Sequence, residues 1–269
     1  MPELPEMETY RRLLQQQIVG LTITDTHVER EKTINMSPDP FAQILHGSRF
    51  TLIDRRGKHL LLHLENSHVL LLHLMLGGFL YLGTAEDKLS RTSQVTLSIG
   101  NRILYFHGLR LGYLHLLTSE QIDERLSELG PEPLAPSFTP AQFSQQLSGK
   151  RGILKTALVD QHWLAGIGNC YSDEICFHAG ILPTRRIPTL TSEEVTRLYH
   201  SMQAVLKEAM QYGGYMETPL YKGDGLTGGF NDRCRVYDRG GEPCLRCGHA
   251  IALDKLSSRK VFFCTHCQN

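Results

Sequence analysis

The sequence has no surplus of charge of either sign, with 28 lysines and arginines against 28 aspartates and glutamates. Taken whole, that balance argues against a polyanionic partner. Long apolar runs are also missing. Stretches such as His68 to Leu74 are short and broken by histidine, glycine or charge, far from the roughly 18 apolar residues a membrane helix needs. Met1-Pro2-Glu3-Leu4-Pro5-Glu6 lacks the basic segment and apolar core of a secretory signal. The expectation is a soluble cytoplasmic protein. With 41% hydrophobic and 21% charged residues the composition is that of a folded chain. Its 269 residues suggest two domains with room for a small accessory module.

Cysteine is patterned. Four of the seven fall as Cys244-x2-Cys247 and Cys264-x2-Cys267 with 16 residues between the pairs, the spacing of a structural zinc site. Thiolates two residues apart face one ion, and a hairpin between the pairs closes a tetrahedral sulfur shell. Two disulfides are the competing reading, disfavoured in a reducing compartment. Cys170, Cys176 and Cys234 are left over and read as buried thiols.

Periodicity divides the chain. Leu4, Met7, Leu14 and Ile18 recur at helical spacing, and Pro2 and Pro5 are tolerated because a first helical turn needs no amide donors. From Leu21 to about Leu117 the period is two: Val95, Leu97 and Ile99 alternate with Gln94, Thr96 and Ser98, and Asn66-Ser67 and Gly100-Asn101 supply tight turns. Short antiparallel strands at this spacing predict a β-sandwich. Ser119 to Leu129 reads as a helix stopped at Gly130-Pro131, and residues 131–137 as a stiff proline-rich linker. Beyond it the pattern is helical, clearest from the capping box Thr191-x-x-Glu194 through Leu198, Met202 and Val205 to Gly213-Gly214. Residues 215–232 hold no period and predict a mobile loop. The expected class is α+β in several domains: an N-terminal helix with an antiparallel β-sandwich over 1–130, a helical domain over 138–232, and a zinc β-hairpin over 233–269.

Counting by segment changes the neutral total. Residues 233–269 carry seven Lys/Arg against three acids, so the remaining residues are net negative by four. A second basic knot lies at Arg49, Arg55, Arg56 and Lys58, with only Asp54 among them. Such stripes bind phosphates even in a neutral protein, through few contacts and with a shallow dependence on salt.

The first residues hold candidate chemistry. Proline after the initiator methionine permits removal of that methionine, which exposes a secondary amine at a helix start. An α-amino group has a neutral fraction roughly 300 times that of a lysine at neutral pH. Such an amine attacks an electrophilic carbon and leaves as a Schiff base. Glu3 stands beside it as a proton donor or shuttle, and Glu6 shares the helix face. Prolines and glutamates are equally what an ordinary helix start favours.

In combination, Pro2-Glu-Leu-Pro-Glu6, Arg56-Gly-Lys58, Gly130-Pro-Glu-Pro-Leu134, Gly166-Ile-Gly-Asn169 and Gly241-Glu-Pro-Cys244 with the paired cysteines closely resemble the formamidopyrimidine-DNA glycosylase and endonuclease VIII family of base-excision repair enzymes. The resemblance spans nearly the whole chain and is nearer the formamidopyrimidine branch. It implies a helix-two-turns-helix in the helical domain, and a monomeric bacterial enzyme acting on damaged double-stranded DNA at the nucleoid. It further implies removal of an oxidised or ring-opened base and β-elimination, or β,δ-elimination, at the abasic site. Pro2 would be the Schiff-base nucleophile, Glu3 its acid/base partner, Glu6 a supporting carboxylate and Lys58 a phosphate-holding catalytic lysine. Arg56, Arg110, Asn169 and Arg259 would bind DNA. Cys244, Cys247, Cys264 and Cys267 would hold one structural Zn2+, with no open position for chemistry.

A duplex base must rotate out to be reached, and the gap must be filled. Here the sequence departs from the family. The formamidopyrimidine branch carries Asp-Pro-Arg-Arg-Phe on its intercalation loop; this chain has His107-Gly108-Leu109-Arg110-Leu111. Leu109 replaces the arginine that reads the orphaned base, Leu111 the aromatic wedge, and Leu76 a methionine. These leucines are expected to plug the hole without hydrogen-bonding a cytosine edge, so discrimination of the opposite base should be weak. Residues 215–232 match the lesion-capping loop in length and little in sequence. The alternatives are a non-catalytic damage-binding protein of the same fold, and a zinc-ribbon interaction module fused to an unrelated sandwich. Retention of Pro2, Glu3 and Lys58 together favours the enzyme.

Overall fold

Alternating apolar residues of the first half pair into two four-stranded sheets. In the computed structural model, which describes residues 1–269, one sheet runs β1-β6-β7-β5 and the other β2-β3-β4-β8, every pairing antiparallel. The strands are β1 (Ile23–Val28), β2 (Phe50–Arg56), β3 (His59–Leu64), β4 (His68–His73), β5 (Phe79–Gly83), β6 (Ser93–Ile99), β7 (Arg102–His107) and β8 (Tyr113–Thr118). Val95, Leu97, Ile99, Leu104 and Phe106 of one sheet share a buried core with Leu60, Leu62, Leu70, Leu72 and Leu114 of the other. The expected turns are present: Ser67 closes the three-residue loop between β3 and β4 and Gly100 opens the two-residue loop between β6 and β7, both at positive φ, 65° and 58°, as such hairpin loops demand.

Helix α1 (Leu4–Ile18) buries Met7, Tyr10, Leu13, Leu14 and Ile18 in the same core. Two short helices, α2 (Pro38–Leu45) and α3 (Ser119–Leu126), complete this half. No helix of the chain is long and apolar enough to cross a membrane.

The chain divides into two compact units, residues 1–128 with 212–229 and residues 129–211 with 230–269. The proline-rich segment after Gly130 is therefore part of the second unit, where Pro131 accepts the Ala165 amide at 3.1 Å and Phe138 is buried. The second unit holds α4 (Pro140–Ser148), α5 (Leu154–Leu158), α6 (Asn169–Ala179), α7 (Ser192–Gln211) and the hairpin β9 (Ala252–Leu256) with β10 (Arg259–Phe263). The capping box of α7 forms as expected, with Glu194 accepting the Thr191 amide at 2.8 Å and Thr191 accepting the Glu194 amide at 3.2 Å.

The loop after α7 is built around one carboxylate. Residues 212–229 group with the first unit, and within them the Asp224 carboxylate accepts the amides of Leu220, Leu226 and Thr227 and the Thr227 hydroxyl, at 2.6–3.2 Å. Leu220 is fully buried in the sandwich core. The segment has no periodic pattern because a carboxylate knot and one apolar anchor organise it.

Candidate active site and nucleic-acid interface

The start of α1 is buried. Pro2, Glu3 and Glu6 are all enclosed, Glu3 and Glu6 to within 2%. Glu6 works in two directions: one carboxylate oxygen accepts the Glu3 amide at 2.7 Å, the other the Tyr215 amide at 2.9 Å. Its first bond is the capping contact that starts the helix; its second fastens the loop after α7. Gly214, at φ 72°, allows that approach, since a Cβ there would stand 2.2 Å from Glu6 Oε1. The Tyr215 hydroxyl then reaches the chain terminus, donating to the Met1 carbonyl at 2.7 Å.

Lys58 sits in the β2–β3 turn behind Gly57, which takes φ 56°, and is only 5% exposed. The turn is tied to α1 by Arg55, whose guanidinium reaches Glu8 at 3.2 Å and the Gly57 carbonyl at 3.0 Å. Burial works to raise the Glu8 pKa, but Arg11 and Arg55 outweigh it and hold the carboxylate below its usual range. Arg49 pairs with Glu65 at 3.8 Å. Two members of the basic knot thus contact acids; Arg56 is half-buried and Lys58 buried beside them in sequence. His59, next in sequence, contacts the Tyr113 hydroxyl at 3.0 Å and packs against His73, ring centroids 4.5 Å apart. Burial, followed by nearby cations, lowers His59 to about 4 and His73 to about 3.

Two loops form the candidate wedge. The β4–β5 loop and the β7–β8 loop touch backbone to backbone, so that a Cβ on Gly108 would fall 2.0 Å from the Gly77 carbonyl. Leu76 and Leu111 project at 62% and 63% exposure, and Arg110 is exposed. Leu109 does not join them. It is fully buried in the sandwich core, its amide donating to Gln94 at 2.9 Å and its carbonyl accepting from Arg30 at 3.1 Å. This corrects its assignment to intercalation: with the backbone tied inward on both sides, an apolar side chain gains by leaving water. Arg30 also binds the Arg110 carbonyl at 2.7 Å and so sets the turn carrying Leu111.

In the second unit, Asn169 opens α6 behind Gly166-Ile167-Gly168. Its side-chain oxygen is buried and has no hydrogen-bond partner. The first amides of a helix and the donating Nδ2 of an asparagine together suit a phosphate, whereas the Oδ1, an acceptor, takes no part. Below it Lys155 and Asp173 form a buried ion pair at 2.5 Å, and Lys155 also binds the Asn169 carbonyl at 3.2 Å. Asp173 accepts the Phe262 amide at 3.1 Å, while Glu174 accepts the amides of Arg235, Val236 and Tyr237 at 2.8–3.0 Å. Two buried acids of α6 thereby hold the zinc hairpin. Sequence reading missed them; the only signal was an acidic pair inside an otherwise apolar stretch.

The four cysteine sulfurs lie within 4.8 Å of one another, with Cys244–Cys267 at 3.9 Å and Cys247–Cys264 at 3.4 Å. Tetrahedral zinc with bonds near 2.3 Å needs sulfurs about 3.8 Å apart, so the set fits one such ion with no position left open. Ser257 and Ser258, both at positive φ, make the tight turn that presents exposed Arg259.

Residues 1–114 match the formamidopyrimidine-DNA glycosylase N-terminal domain, residues 129–218 its H2TH domain, and residues 241–269 the zinc finger found in FPG and IleRS. The chain belongs to the formamidopyrimidine-DNA glycosylase family. The formamidopyrimidine-DNA glycosylase of Chloroflexus aurantiacus is 37% identical over 271 residues, covering all of this chain and 98% of the relative. That of Symbiobacterium thermophilum is 38% identical over 274 residues, covering all of this chain and 89% of the relative. Lactococcus lactis Fpg in complex with N7-benzyl-Fapy-dG DNA superposes with a TM-score of 0.92 at 29% identity, both chains fully covered. The same enzyme with abasic-site DNA gives 0.92 at 29% identity over 99% of each chain. The Fpg zinc finger is thus the frame in which the four sulfurs hold a structural ion.

Proposed function

We propose that this chain excises oxidised or ring-opened bases from double-stranded DNA and cleaves the strand at the resulting abasic sugar. Removal of Met1 frees the Pro2 amine, which attacks C1′ of the extruded nucleotide; the glycosidic bond breaks and the base leaves with its electron pair, the Pro2 nitrogen gives up its proton, and the C1′–O4′ bond then opens onto a protonated O4′ as the nitrogen lone pair forms the Schiff base. Glu3 delivers and recovers protons, and β-elimination from the Schiff base breaks the strand. Lys58 and Arg56 hold phosphate beside the lesion. Asn169 and Arg259 bind phosphates from the second unit, Arg110 adds a contact at the wedge, and Leu76 with Leu111 fill the gap left by the rotated base. The bound zinc keeps the hairpin folded and supplies no chemistry.

The observation that carries this reading is the pair of enclosed carboxylates at the start of α1, beside the atom that becomes a secondary amine. A capped helix alone requires no enclosure of its first residue. Borohydride trapping on oxidised-base and abasic-site oligonucleotides tests it. Wild-type protein, confirmed by mass spectrometry to begin at Pro2, should form a covalent adduct that Pro2→Gly loses or slows severely. Tight binding to damaged DNA with no adduct on any substrate would leave a binding protein in place of the enzyme.

A further inference from the structure

Tyr215 lies outside every role discussed for the reaction, yet its hydroxyl is the group that meets the chain terminus. It donates to the Met1 carbonyl oxygen at 2.7 Å and stands 3.4 Å from the Met1 nitrogen. The Met1 carbonyl carbon is bonded directly to the Pro2 nitrogen. In the proposed covalent intermediate that bond is replaced by one from the same nitrogen to C1′ of the sugar. The Met1 carbonyl carbon therefore stands in for C1′, and its oxygen for an oxygen substituent that C1′ carries before the imine forms.

We propose that Tyr215 is a further catalytic residue, whose phenol donates to the C1′ oxygen while Pro2 adds to the sugar. The inference rests on the Pro2 Schiff-base reading and adds a proton path to it. At an abasic site the Pro2 lone pair adds to the C1′ aldehyde and the carbonyl π pair moves onto oxygen, giving an ammonium alkoxide. The phenol passes its proton to that oxygen and takes one back from the Pro2 ammonium, leaving a neutral carbinolamine and an unchanged tyrosine. The carboxyl of Glu3 then protonates the hydroxyl, which departs as water with the C1′–O electron pair while the nitrogen lone pair forms the iminium.

The placement of the phenol is built by its own backbone. The Tyr215 amide donates to Glu6 at 2.9 Å, the same carboxylate that caps the helix carrying Pro2, and Gly214 lets the strand pass against it. One side chain thus positions both nucleophile and phenol. The Asp224 knot and buried Leu220 hold the far side of the loop.

Tyr215→Phe removes the hydroxyl and keeps the ring. In single-turnover borohydride trapping on abasic-site DNA it should slow adduct formation by about tenfold or more, with affinity for a tetrahydrofuran-site duplex within about twofold of wild type. The deficit should persist across pH 6 to 9. Wild-type trapping rates for Tyr215→Phe at every pH overturn the proposal while leaving Pro2 in place. Slowed release of an intact lesion with normal trapping at an abasic site also overturns it, because the phenol then serves the base and not the C1′ oxygen. No adduct from wild-type protein would instead remove the Pro2 reading beneath it.

Discussion

Two helices of this protein each bury a pair of carboxylates, and they use them differently. At the start of α1, Glu3 and Glu6 are enclosed beside the chain terminus, and Glu6 takes amides from Glu3 and Tyr215. In α6, Asp173 and Glu174 are equally enclosed, but their partners are the Lys155 ammonium and four amides of the hairpin segment. Burial therefore does not distinguish a reactive acid from a fastening one. What separates them is the use proposed for them: under the proposed mechanism Glu3 serves the Pro2 nitrogen, whereas Asp173 and Glu174 hold a cation and backbone donors.

The widest contrast should come from one isosteric substitution in each pair. Glu3→Gln should lower excision by a hundredfold to ten-thousandfold while changing unfolding free energy by only about 1 kcal/mol. Asp173→Asn strands the buried Lys155 charge and should cost about 3 kcal/mol or more in stability. Activity and chemical-denaturation curves on the zinc-loaded protein check both, and a stability loss larger for Glu3→Gln would break the comparison.

A similar opposition separates neighbours in the wedge loop. Leu109→Ala should destabilise the sandwich by about 2–5 kcal/mol, seen as a lower midpoint of unfolding. Leu111→Ala should stay within about 0.5 kcal/mol in stability and lose excision from duplex DNA while sparing single-stranded abasic substrate. Equal effects on stability would show that both leucines pack alike.

The smallest expected effect concerns pH. His59 and His73 titrate lower in the folded chain than their ordinary 6.5, at about 4 and about 3. The folded state therefore favours the neutral rings, and their contribution is present above pH 6.5 and lost as pH falls toward 4. Arg125, Arg56 and Lys58 lie near them and oppose protonation. The unfolding midpoint should fall across that window, and less steeply in His59→Gln; an identical slope would assign the acid sensitivity elsewhere.

Much of the fold was legible because it rests on local periodicity. Alternation at Val95, Leu97 and Ile99, turns at Ser67 and Gly100, and the Thr191 capping box each depend on residues close in sequence. The zinc site was legible for the same reason, since two short spacings carry it. Leu109 was misplaced because its direction is set by Gln94 and Arg30, distant in sequence and invisible to spacing. The contacts of the loop after α7 were not legible because Asp224 and Leu220 make them without any repeat.

By itself the sequence determined the strands, the helices, the metal-binding thiols and the candidate nucleophile, all properties of neighbouring residues. Only the tertiary structure decided which charge is tied to which partner. Arg55 is drawn to Glu8, Asp173 to Lys155, Glu6 to both its own helix and Tyr215. The reason is physical: a charge in water is available to any partner, whereas an enclosed charge is defined by the few donors or acceptors around it, and those come from distant parts of the chain.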